Sequence, residues 1–207
     1  TLPGALMRRL YLASASPRRA ELLTQVGVAF ERLPPPDIDE APRPDELPQH
    51  YVERLAREKA QAGWLRLPEA GRGDAVVLGA DTCVVVDGRI LGKPADAVEA
   101  ATMLRQLSGR EHTVMTAVCL WYDAACLSAC PHTRVRFETL DESLIQRYVA
   151  SAEPYDKAGG YGIQGYGAVL VAEIRGSYSG VVGLPLHETA LLLQQAGVNI
   201  WQVQEKV

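Results

Sequence analysis

Apolar residues along the chain fall into short runs typical of strands, separated by stretches with helical spacing. The first apolar run, Leu10–Leu12, leads into a helical face that carries Leu22 and Leu23. The longest run, Ala75–Val86, predicts a buried strand, and Asp87-Gly88 is typical of a two-residue hairpin turn. The pattern therefore predicts a strand, a helix and a later hairpin in that order.

The rest of the pattern adds helices, strands and loops. Helical spacing predicts four further helices, over residues 51–64, 97–107, 142–149 and from 184 onwards, and Asp96 and Asp141 precede two of them as N-caps. Apolar or alternating runs predict strands over residues 28–33, 89–91, 114–121, 133–139 and 168–174. We interpret residues 34–48 as a proline-rich loop and residues 122–132 as a variable loop.

The segment before the first helix carries the first candidate chemistry. Ser16 followed by Pro17 is typical of an N-cap and a first helical position. Arg18 and Arg19 then fall in the first turn, where the helix dipole is already positive. A phosphate at this helix end would relieve the repulsion, because backbone N–H groups and guanidinium forks both bind phosphate. Alternatively, both arginines extend into water and pair with Glu21.

Two charged residues interrupt apolar patterns. Asp81 lies inside the longest apolar run, where a carboxylate needs either a structural hydrogen-bond partner or a cleft. Lys59 falls on the apolar stripe of the helix predicted over residues 51–64, together with Val52 and Ala56. Such a lysine either lies at the edge of the stripe and reaches solvent, or points into a polar cleft.

Two glycine motifs match nucleotide-binding fingerprints only in part. Gly92-Lys93-Pro94 is not a Walker A loop, because the first glycine of that motif is missing and proline replaces serine or threonine. Gly160, Gly162 and Gly165 match G-x-G-x-x-G, but a helix precedes them and a strand follows, which the dinucleotide fingerprint does not allow. We therefore interpret these glycines as a loop whose backbone approaches a ligand closely.

The proline-rich loop is also acidic, with carboxylates at Asp37, Asp39, Glu40, Asp45 and Glu46. One interpretation is a solvated connection between a strand and a helix. The alternative is that one carboxylate folds back over a site and helps to hold a divalent cation, which prefers oxygen ligands.

Composition narrows the class of protein. The 207 residues have a formal net charge of -4 and are 47% hydrophobic, which allows a full core and argues against a nucleic-acid or membrane-surface binder. No apolar run approaches the ~20 residues of a membrane span, and we expect no signal peptide. Four cysteines without a C-x-x-C pair indicate reduced thiols, so we expect a cytoplasmic enzyme. Residues 1–6 are expected to be a non-native remnant, with residues 7–207 forming one domain.

Several motifs in a fixed order resemble one protein family. They are the segments 14–23, 79–82, 92–94, 108–109, 112–116, 156–165 and 181–185. From Met7 onwards the chain resembles the Maf (septum-formation-inhibitor-like) nucleotide pyrophosphatases. The resemblance implies an elongated α/β fold similar to the inosine triphosphate pyrophosphatases, with a mixed sheet, flanking helices and two lobes around a cleft. It also implies a homodimer that hydrolyses a nucleoside triphosphate to the monophosphate and pyrophosphate with a divalent metal.

The resemblance also indicates a branch of the family. The motifs at residues 16–19, 80–82 and 162–165 resemble the branch that prefers dTTP and UTP, rather than the branch that acts on 7-methyl-GTP. By the same match, Asp81 corresponds to the proton acceptor of the family. Arg18, Thr82 and Gln164 match positions associated with substrate choice. The implied role is sanitation of the nucleotide pool or inhibition of septum formation.

These residues suggest a division of catalytic roles. We expect Asp81 either to accept the proton of the attacking water, an action that requires its ionised form, or to hold that water at the metal. Lys59 and Lys93 are expected to act as compact positive charges. Glu40 and Asp81 are the expected ligands of Mg²⁺ or Mn²⁺, and Asp39 is the weaker choice for the loop ligand.

Substrate binding is expected from residues at both ends of the chain. Gln164 presents a donor and an acceptor, which suit the O4 and N3 edge of thymine or uracil. The residues expected to bind the substrate are Ser14, Ser16, Arg18, Arg19, Thr82 and Gln164.

Two other functions stay open at this point. The chain could hold a nucleotide without turning it over and act on cell division through a partner, an alternative that pyrophosphate release would exclude. It could instead be a purine pyrophosphatase of the inosine triphosphate type, which a comparison of dTTP, UTP and ITP as substrates would separate.

Overall fold

One eight-stranded sheet runs through residues 7–123 and 125–202, the part of the chain that the computed structural model describes. The strands are β1 Arg9–Leu12, β2 Phe30–Arg32, β3 Ala75–Val86, β4 Arg89–Leu91, β5 Glu111–Tyr122, β6 Ala125–Ala129, β7 His132–Phe137 and β8 Val171–Arg175. The helices are α1 Pro17–Gln25, α2 Pro48–Arg66, α3 Ala97–Leu107, α4 Glu142–Ala150, α5 Tyr178–Val182 and α6 Leu186–Gln195. The expectation for residues 1–6 falls outside the described residues.

The sheet is mixed. Its strand order is β2-β1-β3-β5-β7-β8, with β4 beside β3 and β6 beside β5. Strand β1 runs parallel to both of its neighbours, and the other paired strands are antiparallel. Helices pack their apolar residues against this sheet. The predicted α/β class is therefore confirmed.

Strands β3 and β5 form a long antiparallel ladder that two lobes share. In the first lobe, α1 and α6 pack on the first half of β3, and Leu23 and Leu193 meet in one core. In the second lobe, α3 and α4 pack on the second half of β3, around Leu104 and Phe137. Helix α2 covers the middle of the ladder on the other face. This arrangement agrees with the two lobes that were predicted.

The edge of β3 that faces away from β5 is paired in two separate places. Strand β1 pairs with it as far as Leu78, and β4 pairs with it from Val84. Between them, residues 79–83 have no strand on this edge in the described part of the chain, and Asp81 is in the middle of this gap. The gap lies next to the loop that leaves the carboxyl end of β1.

Two expectations about the chain after β5 are wrong. Residues 122–132 contain β6, which pairs with the second half of β5 because β7 pairs only with the first half. The prediction that all four cysteines are reduced thiols is wrong for Cys119 and Cys126, which form a disulfide between β5 and β6. Cys83 and Cys130 are free cysteines, as predicted.

Two local details also differ from expectation. Ser16 is at the N-cap position of α1, but its side chain makes no capping hydrogen bond, and its N–H instead donates to Ser14 Oγ at 3.2 Å. The last strand begins at Val171 rather than 168, because Tyr166–Leu170 forms a 3₁₀ turn. No helix among the described residues combines the length and apolar character needed to cross a membrane.

Candidate active site

A cleft opens at the gap in the edge of β3. It is bounded by the loop between β1 and α1, by the glycine-rich segment of residues 157–165, and by the acidic loop, which we define as residues 33–47 between β2 and α2. The ten residues that the sequence predicted for the site all line this cleft: Ser14, Ser16, Arg18, Arg19, Glu40, Lys59, Asp81, Thr82, Lys93 and Gln164.

Lys59 joins two carboxylates at the cleft. Asp81 is buried on the face of β3 that α2 covers, with 9% of the residue exposed. The Lys59 Nζ donates to Asp81 Oδ1 at 2.7 Å and lies 2.9 Å from Glu40 Oε1. Glu40 approaches from the acidic loop. Of the two alternatives for Lys59, the polar cleft is therefore correct.

Close packing of α2 on β3 brings Lys59 to Asp81. A Cβ atom at Gly79 would lie 2.5 Å from the backbone nitrogen of Ala60 and closer still to the carbonyl oxygen of Ala56. Only glycine permits this approach, because any side chain would collide with the helix backbone. Lys59 precedes Ala60 on the helix, and Asp81 follows Gly79 by two residues on the same face of the strand. The glycine thus sets the distance between the two charges.

Arg19 is a buried cation with neutral protein partners. Its Nε donates to the Gly183 carbonyl at 2.8 Å, and its Nη1 and Nη2 donate to Ser14 Oγ and Thr82 Oγ1, each at 3.2 Å. Within the described residues, no carboxylate lies within 4.0 Å of its nitrogens. Burial lowers the pKa of Arg19, and the charge of Asp81 opposes that shift. A guanidinium has five N–H donors, so two remain for an anion in the cleft.

Thr82 connects Arg19 to the opposite wall of the site. Its Oγ1 lies 3.0 Å from Thr116 Oγ1 on β5, and that hydroxyl donates to the Gly180 carbonyl at 2.6 Å. The chain of hydrogen bonds therefore runs from α1 through two strands to α5.

Arg18 does not extend into water as one alternative suggested, and its partner is not Glu21. Its Nη1 donates to Asp156 Oδ2 at 3.1 Å, and the Lys157 Nζ donates to Asp156 Oδ1 at 2.6 Å. Partial burial acts to raise the pKa of Asp156, but the hydrogen bonds from Lys157 and Arg18 hold it below its usual value. The Asp156 side chain is 62% exposed, so this ion pair is accessible from the cleft.

Lys93 and Gln164 also line the cleft, and both are exposed. Lys93 follows β4, and Gln164 lies in the glycine-rich segment. That segment lies between α4 and β8 and consists of short turns, which confirms that it is not a dinucleotide fingerprint.

Sequence reasoning did not single out three other cleft residues, Tyr51, Asp156 and Lys157. The last two begin the glycine-rich motif, so adjacent opposite charges before those glycines were a usable signal. Tyr51 carried no local signal, since it opens an ordinary helix. Burial, and then the charges of Asp81 and Glu40, raise the pKa of Tyr51 to about 12, so its hydroxyl stays protonated at neutral pH.

Buried aromatic residues support the glycine-rich segment. His112 Nε2 lies 2.7 Å from the Tyr161 hydroxyl, and the Tyr148 hydroxyl accepts from the Gly162 N–H at 3.0 Å. Burial lowers the pKa of His112 to about 4 and raises the pKa of both tyrosines well above the usual value. The cluster is therefore uncharged at neutral pH and fixes the backbone beside Gln164.

Two carboxylates of the cleft, Asp81 and Glu40, are of the residue type that binds divalent cations. Asp81 and Glu40 converge on one point, which the Lys59 ammonium occupies. Among the described residues, no group of three or more His, Cys, Asp or Glu could hold a metal ion. Mg²⁺ is commonly bound by one or two carboxylates together with phosphate oxygens and water. Asp81 and Glu40 could supply those two carboxylates if the ion took the place that the Lys59 ammonium occupies.

Comparison with known proteins gives a family and a set of relatives. A family model described as "Maf-like protein" matches residues 9–196. The dTTP/UTP pyrophosphatase of Nitrosospira multiformis is 51% identical over 201 residues, covering 94% of this chain and 97% of the relative. The dTTP/UTP pyrophosphatase of Alcanivorax borkumensis is 52% identical over 194 residues, covering 94% and 98%.

Among solved structures, a HAM1 protein from Coxiella burnetii aligns with 91% of this chain and 100% of its own, with 17% identity and a TM-score of 0.47.

Proposed function

This chain belongs to the Maf-like protein family and is a nucleoside triphosphate pyrophosphatase, and we propose that its substrates are dTTP and UTP. The products would be the nucleoside monophosphate and pyrophosphate. In this hydrolysis the oxygen of water would bond to the α-phosphorus, and the bond from that phosphorus to the bridging oxygen would break. Pyrophosphate would leave with the electron pair, and the proton of the water would pass to Asp81.

The observation that supports this proposal most strongly is that a buried carboxylate–ammonium pair and a buried unpaired cation share one cleft. Asp81 and Lys59 form the pair, and Arg19 has only neutral protein partners among the described residues. A buried guanidinium is costly without an anionic partner. A triphosphate in the cleft would supply that partner and would bring its phosphates to the carboxylate.

Asp81 is the proposed general base. Lys59 donates to Oδ1 at 2.7 Å, which leaves Oδ2 to accept the proton of the attacking water. The ammonium provides the counter-charge that a buried carboxylate needs. Since α2 and β3 hold both groups, the carboxylate is oriented before the substrate arrives.

The cations around Asp81 are proposed to bind the phosphates. Arg19 would use its two remaining N–H groups, and Arg18 would leave Asp156 for a phosphate oxygen. Ser16, at the start of α1, and the exposed Lys93 approach the same region from opposite lobes. A Mg²⁺ or Mn²⁺ ion held by Asp81 and Glu40 together with phosphate oxygens would neutralise charge that develops as the linkage breaks.

Gln164 is proposed to recognise the nucleobase of the substrate. Its side-chain amide offers one acceptor and a donor group, a pattern that matches the O4 and N3–H of thymine and uracil. A site built on those hydrogen bonds rejects bases that leave them unpaired.

The test is turnover of dTTP, UTP, dCTP, GTP and ITP with Mg²⁺ and with Mn²⁺, followed by separation of the products on an anion-exchange column. We expect dTTP and UTP to be preferred and to yield the monophosphate and pyrophosphate. Release of inorganic phosphate with a nucleoside diphosphate would contradict the proposal. A preference for ITP, or tight binding without turnover, would support one of the two other functions considered above.

A further inference from the structure

Arg54 fastens the acidic loop to α2. Its Nε and Nη2 donate to Oε1 and Oε2 of Glu46 at 2.6 and 2.8 Å. The side chains of Arg54 and Glu46 are only 12% and 9% exposed. A bidentate pair at this degree of burial fixes the geometry of both partners more firmly than an exposed ion pair does.

The same helix also holds the backbone on either side of the Glu40–Ala41 peptide. Arg54 Nη2 donates to the Ala41 carbonyl at 3.1 Å, and the Tyr51 hydroxyl donates to the Glu40 carbonyl at 3.0 Å. Tyr51 and Arg54 are three residues apart and therefore neighbours on the helix surface. The loop is thus anchored to one helix face at Glu40, Ala41 and Glu46.

The Glu40 carboxylate itself is weakly held. Its side chain is 55% exposed, and its only ion pair among the described residues is with Lys59 at 2.9 Å. An exposed ion pair of this kind contributes little to position by itself. The place of the carboxylate at the cleft therefore depends on its backbone anchors.

We propose that Arg54 is a positioning residue that holds Glu40 at the Lys59–Asp81 pair, through Glu46 and the Ala41 carbonyl. This inference rests on the proposed function, in which Glu40 and Asp81 hold a divalent cation. The hydrogen bonds of Arg54 outside its own helix all go to the acidic loop, within the described residues. Helix α2 keeps its own anchors, Val52, Leu55 and Ala56, which are buried.

The test compares Arg54→Met and Arg54→Lys with wild type in three measurements. They are hydrogen exchange of the amides at 37–46, Mn²⁺ affinity in the presence of the non-hydrolysable α,β-imido analogue of dTTP, and the Mg²⁺ dependence of dTTP hydrolysis. For Arg54→Met we expect faster exchange in the loop and about tenfold weaker Mn²⁺ affinity, since residues that orient metal ligands commonly contribute about 10–100-fold. Arg54→Lys retains the positive charge but not the bidentate guanidinium, so its effects should lie between those of wild type and Arg54→Met.

The control is Arg43→Gln. Arg43 is in the same loop and pairs with Glu58 at 3.1 Å, but its side chain is 64% exposed. We expect this variant to match wild type in Mn²⁺ affinity. Glu46→Gln breaks the same pair as Arg54→Met from the loop side, and it serves if Arg54→Met does not fold.

A double variant with Glu40 distinguishes a positioning role of Arg54 from a general loss of structure. In the Glu40→Gln background, Arg54→Met should weaken Mn²⁺ affinity no further. Additive losses, or a loosened loop with unchanged Mn²⁺ affinity, would overturn the inference. If wild type does not hydrolyse dTTP or UTP, the proposed function fails, whereas hydrogen exchange and the affinity for Mn²⁺ alone still decide whether Arg54 positions the loop and Glu40.

Discussion

Asp81 and Thr82 are adjacent in the chain, but their side chains serve opposite faces of the sheet. Asp81 meets Lys59 of α2, and Thr82 meets Arg19 of α1. This follows from the two-residue period of a strand, in which successive side chains point to opposite faces. A single dipeptide at the open edge of β3 therefore connects one buried acid and one buried cation to the same cleft.

Asp81→Asn tests the assignment of the base. We expect kcat for dTTP to fall by about a hundredfold or more, because an amide cannot accept the proton of water at this position. The thermal midpoint should be compared with wild type, and Asp74→Asn, on an exposed surface pair with Arg9, is the matched control for activity. Unchanged turnover in a folded Asp81→Asn protein would rule out general-base catalysis by this residue.

Gln164→Ala tests how the enzyme recognises the nucleobase of its substrate. Since the exposed amide has no structural role in the fold that we describe, we expect the protein to remain folded. The ratio of kcat/KM for dTTP to that for dCTP should fall by about tenfold or more, because each lost hydrogen bond that discriminates a base is worth about 1–3 kcal/mol. If the ratio is unchanged, another residue recognises the pyrimidine.

His112 makes stability depend on pH. Burial lowers its pKa to about 4 in the folded protein, whereas the unfolded chain binds the proton near pH 6.5. Between these values the unfolded state holds more protons, so the free energy of unfolding falls as the pH is lowered, by about 3 kcal/mol in total. Urea unfolding of wild type and His112→Gln at pH 7 and pH 4.5 measures how much the free energy of unfolding of each protein falls with pH. An equal loss of stability in both proteins would contradict the assignment.

Among the helices and strands, the pattern of apolar residues predicted those elements whose ends and periodicity are marked by the local sequence. The strand expected over residues 75–86 is β3 itself, and Asp87-Gly88 forms the predicted turn to β4. Asp141 caps α4 through a hydrogen bond from the Leu144 N–H. Strand β6 was missed because its residues are too mixed to show alternation. Its existence depends on the free edge of β5, which is a property of the sheet.

Gly79→Ala tests the packing that unites α2 and β3. The added methyl group would collide with the backbone of α2, so we expect a loss of about 1–3 kcal/mol in the free energy of unfolding. Because the helix must shift, Lys59 should also move from Asp81 and kcat should fall. Gly73→Ala is the control, since a Cβ atom there would meet nothing within 4 Å. Equal stability of the two variants would show that the helix can yield without cost.

At the scale of the whole molecule, the site depends on where strands stop. Strand β1 ends at Leu12 and β4 begins pairing at Val84, so the edge of β3 stays open between them. The ten site residues that the sequence predicted all line the resulting cleft, four of them indicated by the family resemblance, but Tyr51, Asp156 and Lys157 line it too and were not predicted. It could not predict the pairing of Arg18 with Asp156, because these residues are 138 positions apart and meet only through the fold.

In the proposed mechanism, cations from both lobes bind a triphosphate whose hydrolysis Asp81 then catalyses. Calorimetric titration with the α,β-imido analogue of dTTP tests it most directly, using wild type, Arg19→Met and Asp81→Asn in the presence of Mg²⁺. Removal of Arg19 should weaken binding by about 10–100-fold, as expected for hydrogen bonds from a charged donor. Asp81→Asn should retain measurable affinity although its turnover is lost. If a folded Arg19→Met protein binds the analogue as tightly as wild type, the account of the cleft is contradicted.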